Sequence, residues 1–534
     1  MLPRSALKAL DSSVPKLTEV ICKGLATTQM KGIEHYIHDV FKSVSAGFPP
    51  GLKYLGCRRC DPIEEYAEIS RNRNSKCVFD VARSDIYLMA YRFVYNNDPP
   101  IDRFIYLPFV GTAGTIYLSG SRFVISPILA DRVISVGLNN IFVRLLKAKL
   151  TFNRISHHYK ADGVTENIQV AWSKIYNKKP SAIPVKTTTT AKSSLVHYLL
   201  CKHGFNRMFE LYTGSRPVLG GEEIDKERYP ANEWVICSSS QLAPRNYRAQ
   251  YTGTNIRIAI RREEYNNDVR NLVAGFYYVV DHFPSLIKPE YVDDTRLWMV
   301  FLGHIIWSGS VSPGKLYSDV NDHITSLDEY MDNVYSKKLA DIGYVCNDIY
   351  QLFYRIISTF NEWLLTADDR VSTMYDKELS VLPFVSYEVV SAINNLYFNL
   401  NAAKKKEFTS KKILTLMNLN LRQGMVFKLT KEHGEVTTTG TSGDNMALKI
   451  TNLLIPQSES SKSTKKGRTV LSDPTKRLHA SIAEVGGAWA LPKSSPDGRS
   501  RVNPTLRISE TGLVLRDPAY VELLDGIQMK IRRQ

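Results

Sequence analysis

Few residues of this 534-residue chain stand at spacings that suit catalysis or metal binding. The adjacent acids Asp293-Asp294 and Asp368-Asp369 could contribute to two-metal chemistry, which requires carboxylates that converge on the ions. Neither pair lies in a recognisable metal motif, and adjacent acids are commonly solvated at a protein surface. We interpret both pairs as surface acids and expect no catalysis by the chain alone.

Cysteines and histidines give one weak metal signal. Cys57-Arg-Arg-Cys60 has a zinc-like spacing and Cys77 follows, but a structural zinc ion needs four ligands, usually from two such pairs. His157 and His158 are neighbours, and neighbouring residues of a strand point to opposite faces. The seven scattered cysteines suit a reducing compartment. We therefore predict reduced cysteines, with no metal and no cofactor bound by this chain.

The stronger signal is positive charge between Leu471 and Gly512, which we call the basic segment. It shows neither helical nor strand periodicity, so we predict a loop system. Loops that carry several cations commonly face an anionic partner, although a charged surface linker is the alternative. Trp489 could stack on an unpaired base, but an anchor against a neighbouring subunit is the favoured interpretation. The basic and imidazole side chains are Lys476, Arg477, His479, Arg499, Arg501 and Arg507.

Composition narrows the class of protein. The chain is 43% hydrophobic and 23% charged, which is typical of a globular protein with a core. Its net charge is +16, and residues 403–534 hold 23 Lys and Arg against 12 Asp and Glu. Such an excess can face nucleic acid, an anionic membrane or an acidic partner. No apolar run is long enough to span a bilayer, and the amino terminus lacks the apolar core of a signal peptide.

Periodicity predicts the elements that position these residues. Apolar spacing over 20–44 predicts one amphipathic helix or two short ones. Short β-type runs follow between Lys76 and Pro127, including a hairpin whose turn contains Gly120. Asp162-Gly163 is predicted to end this unit, and polar residues 177–190 are predicted to form a domain boundary.

Further helices are predicted after residue 193. Residues 193–205 are expected to form a helix, and RLWMVFLGHIIW (residues 296–307) a buried helix or strand. An apolar stripe from Ile342 to Trp363 predicts one long core helix, and Ser386 to Asn401 a further helix. Short elements are expected at 411–421, 425–429 and 447–454.

Several segments, in order, resemble the amino-terminal half of the second-largest subunit of multisubunit RNA polymerases, called β in bacteria. GTIYLSGSRFVIS (residues 114–126) resembles the protrusion hairpin of that family. FLGHIIW (301–307), then DEYMDNVYSKKLADIG (328–343), is similar to its Phe-Leu-Gly segment and the following Asn-Lys-Arg-Leu and Ala-Gly pattern. TKRLHASIAEVGGAW (475–489) and VNPTLRISETG (502–512) resemble its fork region, with Asn503 and Leu506 in place of two histidines.

The resemblance implies an α+β, multidomain fold with RNA polymerase β-type protrusion, lobe and fork domains. A β subunit that stops at this point resembles the split subunits of giant phages of the phiKZ type, and of their two polymerases we favour the non-virion enzyme. The implied segments are 1–175 (protrusion, first part), 176–323 (lobe), 324–410 (protrusion, second part, with long helices), 411–512 (fork region with nucleic-acid-facing loops) and 513–534 (a tail that pairs with the missing carboxy-terminal half).

The implied function is that of a non-catalytic core subunit of a DNA-directed RNA polymerase. The catalytic Asn-Ala-Asp-Phe-Asp-Gly-Asp motif belongs to the largest subunit and is absent from this sequence, so Mg²⁺ is expected in the partner largest-subunit fragment. DNA and the RNA–DNA hybrid are expected to contact the six residues of the basic segment together with Lys337 and Lys338.

The implied protein partners are a carboxy-terminal β fragment, two β′ fragments and a promoter-specificity subunit, with no membrane. The expected location is the cytoplasm of an infected bacterial host, within a phage replication compartment if one forms. Two other classes stay open. Basic charge and mixed structure would also suit a nucleic-acid-binding phage structural or packaging protein. An independent metal-dependent nuclease or polymerase would need a converging acid cluster, which the sequence does not show.

Overall fold

The molecule is represented by a computed structural model. It describes residues 32–71 (without 46–47), 84–110, 116–173 (without 126–127, 138–139 and 146–148), 193–240, 254–306 (without 285), 311–365, 377–402 (without 381) and 409–426. Five short pieces at 434–437, 452–454, 499–501, 507–509 and 511–515 are also described. Within these ranges no helix is both long enough and apolar enough to cross a bilayer.

Helices and strands are mixed along the chain, as the α+β prediction requires. The helices are α1 Ile33–Ser45, α2 Pro62–Arg71, α3 Leu195–His203, α4 Phe205–Thr213, α5 Asn267–Val280, α6 Thr295–Ile306, α7 Pro313–Leu327, α8 Asn333–Asp341, α9 Ile349–Leu365, α10 Leu382–Ala402 and α11 Ser410–Asn420. The strands are β1 Leu52–Arg59, β2 Ile86–Tyr95, β3 Ile101–Pro108, β4 Ile116–Leu118, β5 Ser121–Ile125, β6 Ile128–Asp131, β7 Ile134–Val136, β8 Asn140–Arg144, β9 Lys149–Ala161, β10 Val164–Ser173, β11 Ser193–Ser194, β12 Val218–Gly220, β13 Trp234–Ser239, β14 Arg257–Arg261, β15 Lys377–Ser380, β16 Gly434–Thr437, β17 Asn452–Leu454, β18 Arg499–Arg501, β19 Arg507–Ile508 and β20 Val514–Leu515.

The chain forms two compact units. Unit 1 contains Met1–Arg132, Asp332–Lys337 and Arg370–Gln534, and unit 2 contains Val133–Met331 and Lys338–Asp369. The division after Arg132 falls inside the segment predicted as the first part of a protrusion, because β7 and β8 join the sheet of unit 2 through β9. The assignment of chain segments to named polymerase domains stays a prediction.

Unit 1 is built on an antiparallel sheet in the order β1-β2-β3. One face packs against α1, where the Phe41 ring lies 5.1 Å from that of Tyr91 and 5.5 Å from that of Phe93. All three rings are fully buried. Successive residues of a strand face opposite sides, so Leu88 and Ala90 pack on the other face, with Cys60 and Tyr106. The helix predicted within 20–44 is confirmed over 33–45, and its earlier part lies outside the described residues.

The predicted hairpin of unit 1 is confirmed. Strands β4 and β5 pair from Ile116↔Phe123 to Leu118↔Ser121, and their two-residue turn has φ of 51° at Ser119 and 80° at Gly120. Positive φ at both positions is typical of the type I′ turn, which matches the twist of a two-stranded ribbon. Strand β16, from more than 300 residues further along the chain, then pairs with β5.

Unit 2 contains an eight-stranded antiparallel sheet. The prediction that a unit ends at Asp162-Gly163 is wrong. These two residues, with φ of 50° and 87°, form the turn between the long strands β9 and β10. Asp-Gly favours a tight hairpin turn as well as a boundary, and here the chain continues in the same sheet. Strands β10 and β11, which flank the predicted boundary at 177–190, also pair with each other.

The core of unit 2 is rich in buried aromatic residues. Trp298 on α6 is fully buried, and its indole N–H donates to the carbonyl of Val292 over 2.7 Å. Its ring lies 6.0 Å from Phe276 on α5 and 5.9 Å from the imidazole of His197 on α3. The apolar run at 296–307, which left helix and strand open, is a helix as far as Ile306, and Trp307 lies outside the described residues.

The long helix predicted from Ile342 to Trp363 begins later than expected. Gly343 has φ of 88° and its N–H donates to the carbonyl of Ala340, so it terminates the preceding helical turn. Asp348 then accepts the Gln351 N–H over 2.8 Å and caps α9, which starts at Ile349. The apolar spacing continues through this break, so the sequence pattern did not indicate it. The helix predicted at 386–401 is confirmed within α10.

Candidate nucleic-acid interface

The basic segment is described at two short strands. Arg499 and Arg501 lie in β18, which pairs with β17 and is the last strand in the order β15-β6-β17-β18. Arg507 lies in β19, opposite Leu515 of β20. These strands correct the expectation of a segment made only of loops. Their side chains are outside the described part, as are Lys476, Arg477, His479 and Trp489 altogether.

The segment 328–343 has a well-defined backbone around its two lysines. Asp332 caps α8 by accepting the Tyr335 N–H over 3.0 Å. After the helix, the Tyr344 N–H returns to the carbonyl of Leu339 over 2.8 Å. Lys337 is exposed, whereas the Lys338 side chain is buried, with 9% of its surface accessible. The two neighbouring lysines are therefore not equally accessible to an external phosphate.

Several arginines of unit 1 are held by other protein groups. Arg58 makes two hydrogen bonds to Glu64, at 2.6 and 2.7 Å, and this guanidinium lowers the pKa of the Glu64 carboxyl to about 2. Arg92 makes a similar pair with Asp102. Such arginines stabilise the fold, and occupied donors are less able to bind phosphate.

Arg103 has a different structural role in unit 1. Its Nε donates to the Leu421 carbonyl over 2.6 Å, Nη2 donates to the same oxygen, and Nη1 donates to the Asn418 side chain over 2.8 Å. The guanidinium thereby satisfies groups at the end of α11 and ties that helix to β3. Desolvation lowers the pKa of Arg103. Sequence reasoning missed Arg103, because the residues that bind it are more than 300 positions away.

The cysteine and histidine candidates that the structure describes show no metal-like grouping. Cys60 is buried, and desolvation raises the pKa of its thiol to about 12. Cys57 lies in β1 beside Tyr54, and Cys77 is outside the described residues. In the part of the chain that the structure describes, no three His, Cys, Asp or Glu side chains come together as metal ligands would.

The adjacent histidines point to opposite sides of β9, as predicted. His157 is largely buried and its Nε2 lies 3.2 Å from the Asp281 carboxylate, whereas His158 is exposed. The predicted surface acids are only partly described. Asp293 is exposed, yet it accepts the Asn206 backbone N–H over 2.8 Å at the start of α4. Asp294 accepts the Arg296 N–H over 2.9 Å. The Asp368-Asp369 pair lies outside the described residues.

Positive charge is distributed unequally between the units. Unit 2 contains 26 Lys and Arg against 24 Asp and Glu, and is therefore close to neutral. The other 43 basic and 29 acidic residues belong to unit 1, which carries +14 of the net +16. A sequence-independent attraction to phosphates would therefore come mainly from unit 1.

Comparison with known protein families identifies the class of protein as a component of a transcription enzyme. The family model described as non-virion RNA polymerase subunit matches residues 8–527. The match covers nearly the whole chain, and the protein belongs to this family of phage RNA polymerase subunits. A search of curated protein sequences gives no match. The preference for a non-virion enzyme is thus confirmed, and the protein acts in transcription with other polymerase subunits and nucleic acid.

Proposed function

We propose that the chain is the amino-terminal half of a split β subunit and forms one wall of the DNA cleft and the fork near the active centre. The family assignment supports a polymerase subunit but leaves open which one. The order of the protrusion-like, Lys-Lys-Leu and fork-like segments favours β. The assignment also favours transcription over the structural or packaging alternative.

The observation that carries the cleft role is the charge difference between the units. Unit 1 holds +14 and includes the whole basic segment, whereas unit 2 holds +2. Lys and Arg that neutralise phosphates release condensed counterions, which gives affinity without sequence preference. We assign this contact to the basic segment and to Lys337, which is more exposed than Lys338.

Catalysis is assigned to a partner. The aspartate-rich motif of the largest subunit is absent from the sequence, so the proposed largest-subunit fragment would hold Mg²⁺. The other proposed partners are the carboxy-terminal β fragment, the second β′ fragment and a promoter-specificity subunit. The proposed site of action is the cytoplasm of the infected host, where a replication compartment would enclose the enzyme if one forms.

Replacement of Lys476 and Arg477 by Ala in the assembled polymerase tests this proposal. We expect weaker promoter open complexes and a salt slope of log K against log[KCl] reduced by roughly 2, since each lost phosphate contact lowers it by about 0.9. Filter binding across a KCl series measures the slope, and native mass spectrometry measures assembly.

A matched control is the double replacement of Lys226 and Arg228 by Ala. Both side chains are exposed in the near-neutral unit 2, and the net charge change is the same. This control should leave the slope unchanged. An unaltered slope in the Lys476/Arg477 variant, or an equal reduction in both variants, would contradict the assignment. Purification of the tagged wild-type chain alone, without large partners, would contradict the polymerase role itself.

A further inference from the structure

We propose that Arg59 is a further nucleic-acid contact in unit 1 and binds a backbone phosphate. Arg59 lies at the end of β1, where its guanidinium stacks on the rings of Tyr87 and Phe109. We call these three residues the Arg59 stack. The inference rests on the proposed function and adds to it a named contact outside the basic segment, at side chains that the structure describes.

The antiparallel sheet brings the three residues of the Arg59 stack to one of its ends. Arg59 is opposite Met89 in the pairing of β1 with β2, and Tyr87 lies two residues before Met89, on the same face. Strand β3 ends beside the start of β2, and Phe109 follows its last residue. The Arg59 guanidinium carbon consequently lies 4.8 Å from the centroid of each ring.

The two rings of the stack are themselves held in place. The Tyr87 hydroxyl donates to the Glu34 carboxylate of α1 over 3.1 Å. The Phe109 N–H donates to the Asp85 carbonyl over 2.9 Å, and the centroids of the Tyr87 and Phe109 rings lie 4.9 Å apart. The negative face of an aromatic ring attracts a cation, so these rings orient the guanidinium before any ligand binds. Less side-chain freedom is then lost on binding.

Arg59 differs from the other arginines of this sheet in what its N–H groups bind. Arg58 and Arg92 bind carboxylates, and Arg103 binds the Leu421 carbonyl. Arg59 makes no hydrogen bond or ion pair with the residues that the structure describes. Stacking uses only the face of the guanidinium, so its in-plane N–H groups stay available for an external acceptor.

The surroundings of the stack favour a phosphate as that acceptor. Arg59 is exposed and Phe109 is 43% exposed, so the guanidinium lies at the surface of the positively charged unit 1. The planar fork of a guanidinium matches two oxygens of a phosphate group. The nearby Glu34 carboxylate already accepts the Tyr87 hydroxyl. In a polymerase the nucleic-acid backbone supplies such phosphates, and contact with them carries no sequence preference.

Replacement of Arg59 by Gln in the assembled polymerase tests the inference. Filter binding to duplex DNA of arbitrary sequence across a KCl series should show a salt slope reduced by about 0.9. The affinity at about 0.15 M KCl should be roughly fivefold lower. Arg58→Gln is the matched control, because it removes the same charge one residue away, from a guanidinium already bound to Glu64. This control should leave the slope unchanged.

Two further variants separate a phosphate contact from a purely structural role. Arg59→Lys keeps the charge but loses the two-pronged donor, so the slope should be retained while the affinity falls less than in Arg59→Gln. Phe109→Leu keeps Arg59 but removes one ring, which should lower the affinity by about two- to fivefold at an unchanged slope. A lowered unfolding temperature of Arg59→Gln at the wild-type slope would make the stack structural and overturn the inference.

Other results would also reject a phosphate contact at Arg59. An equal slope reduction in Arg58→Gln would indicate a general charge effect. Loss of a subunit from the Arg59→Gln assembly in native mass spectrometry would indicate a protein contact. A raised KM for nucleotides at unchanged DNA affinity would indicate a nucleotide site. The Lys476/Arg477 variant tests the cleft role separately, so a reduced slope there with an unchanged slope in Arg59→Gln rejects the Arg59 contact alone.

Discussion

The two units differ in net charge, although each has a core of buried rings. Unit 2 is nearly neutral, and its core places Trp298 beside the buried imidazole of His197. Unit 1 carries +14, and its sheet is held partly by ion pairs such as Arg92–Asp102. A concentration of like charge destabilises a compact state through self-repulsion while it attracts polyanions. The proposed function uses this difference: unit 1 would supply the surface for nucleic acid and unit 2 a stable scaffold.

The largest expected effect is in the core of unit 2. Trp298→Ala removes a fully buried ring and leaves the Val292 carbonyl without its indole donor. We expect a loss of about 3–5 kcal/mol in unfolding free energy. Urea unfolding of the full chain measures it, and Trp234→Ala, at a partly exposed position, should cost much less. If the folded fraction of Trp298→Ala also showed a reduced salt slope in the polymerase, the separation of roles between the units would be wrong.

An intermediate effect is expected from acid. Burial lowers the pKa of His197 and of His323 to about 4, so both imidazoles stay neutral in the folded chain well below their ordinary value of 6.5. His197 donates through Nε2 to the Trp298 carbonyl, and its Nδ1 has no hydrogen-bond partner among the described residues. Between about pH 6.5 and pH 4, these two imidazoles therefore bind protons in the unfolded chain but not in the folded chain.

Stability should accordingly fall as the pH is lowered through this range, by on the order of 2 kcal/mol for each histidine at pH 5. Urea midpoints at pH 7.5 and pH 5 measure the change. His323→Leu should flatten the dependence, whereas replacement of the exposed His158 by Asn should not. If the loss of stability were as steep in His323→Leu as in the wild type, His323 would not contribute to the acid sensitivity.

The smallest effect is expected at Arg103 in unit 1. Arg103→Met removes the guanidinium that binds the Leu421 carbonyl and the Asn418 side chain, which should cost about 1–3 kcal/mol. Lys53→Met, at an exposed position, removes the same charge and should be nearly neutral for stability. If Arg103→Met instead reduced the salt slope at unchanged stability, Arg103 would belong to the nucleic-acid surface and not to the framework.

Local patterns explain which parts of the fold could be predicted from the sequence. The turn at Ser119-Gly120 was predictable because the residues that require positive φ are adjacent in the chain. The pairing of β5 with β16 was not, because nothing near Val124 indicates a partner at Glu435. Asp162-Gly163 was misinterpreted because the same dipeptide suits a hairpin and a boundary.

For related reasons, some features of the candidate site could be predicted from the sequence and others could not. The basic segment could be predicted from the sequence, because its positive charge depends only on composition. Lys337 and Lys338 are neighbours in sequence, yet the direction of each side chain depends on helix packing. Their difference in exposure could therefore not be predicted from the sequence. The stacking of Arg59 could not be predicted either, because Tyr87 and Phe109 are distant from it in the sequence.

The interleaving of the two units has a consequence for synthesis on the ribosome. The whole of unit 2 has been synthesised once residue 369 has emerged. Strand β5 can pair with β16 only later, because β16 begins at Gly434. At typical elongation rates of about 5–20 residues per second, synthesis of the chain from β5 to β16 takes roughly 15–60 s, which is long compared with the folding of most single domains. Unit 2 is therefore expected to fold first. The hairpin of β4 and β5 would meanwhile expose an unpaired strand edge, which makes it a natural target for chaperones during translation.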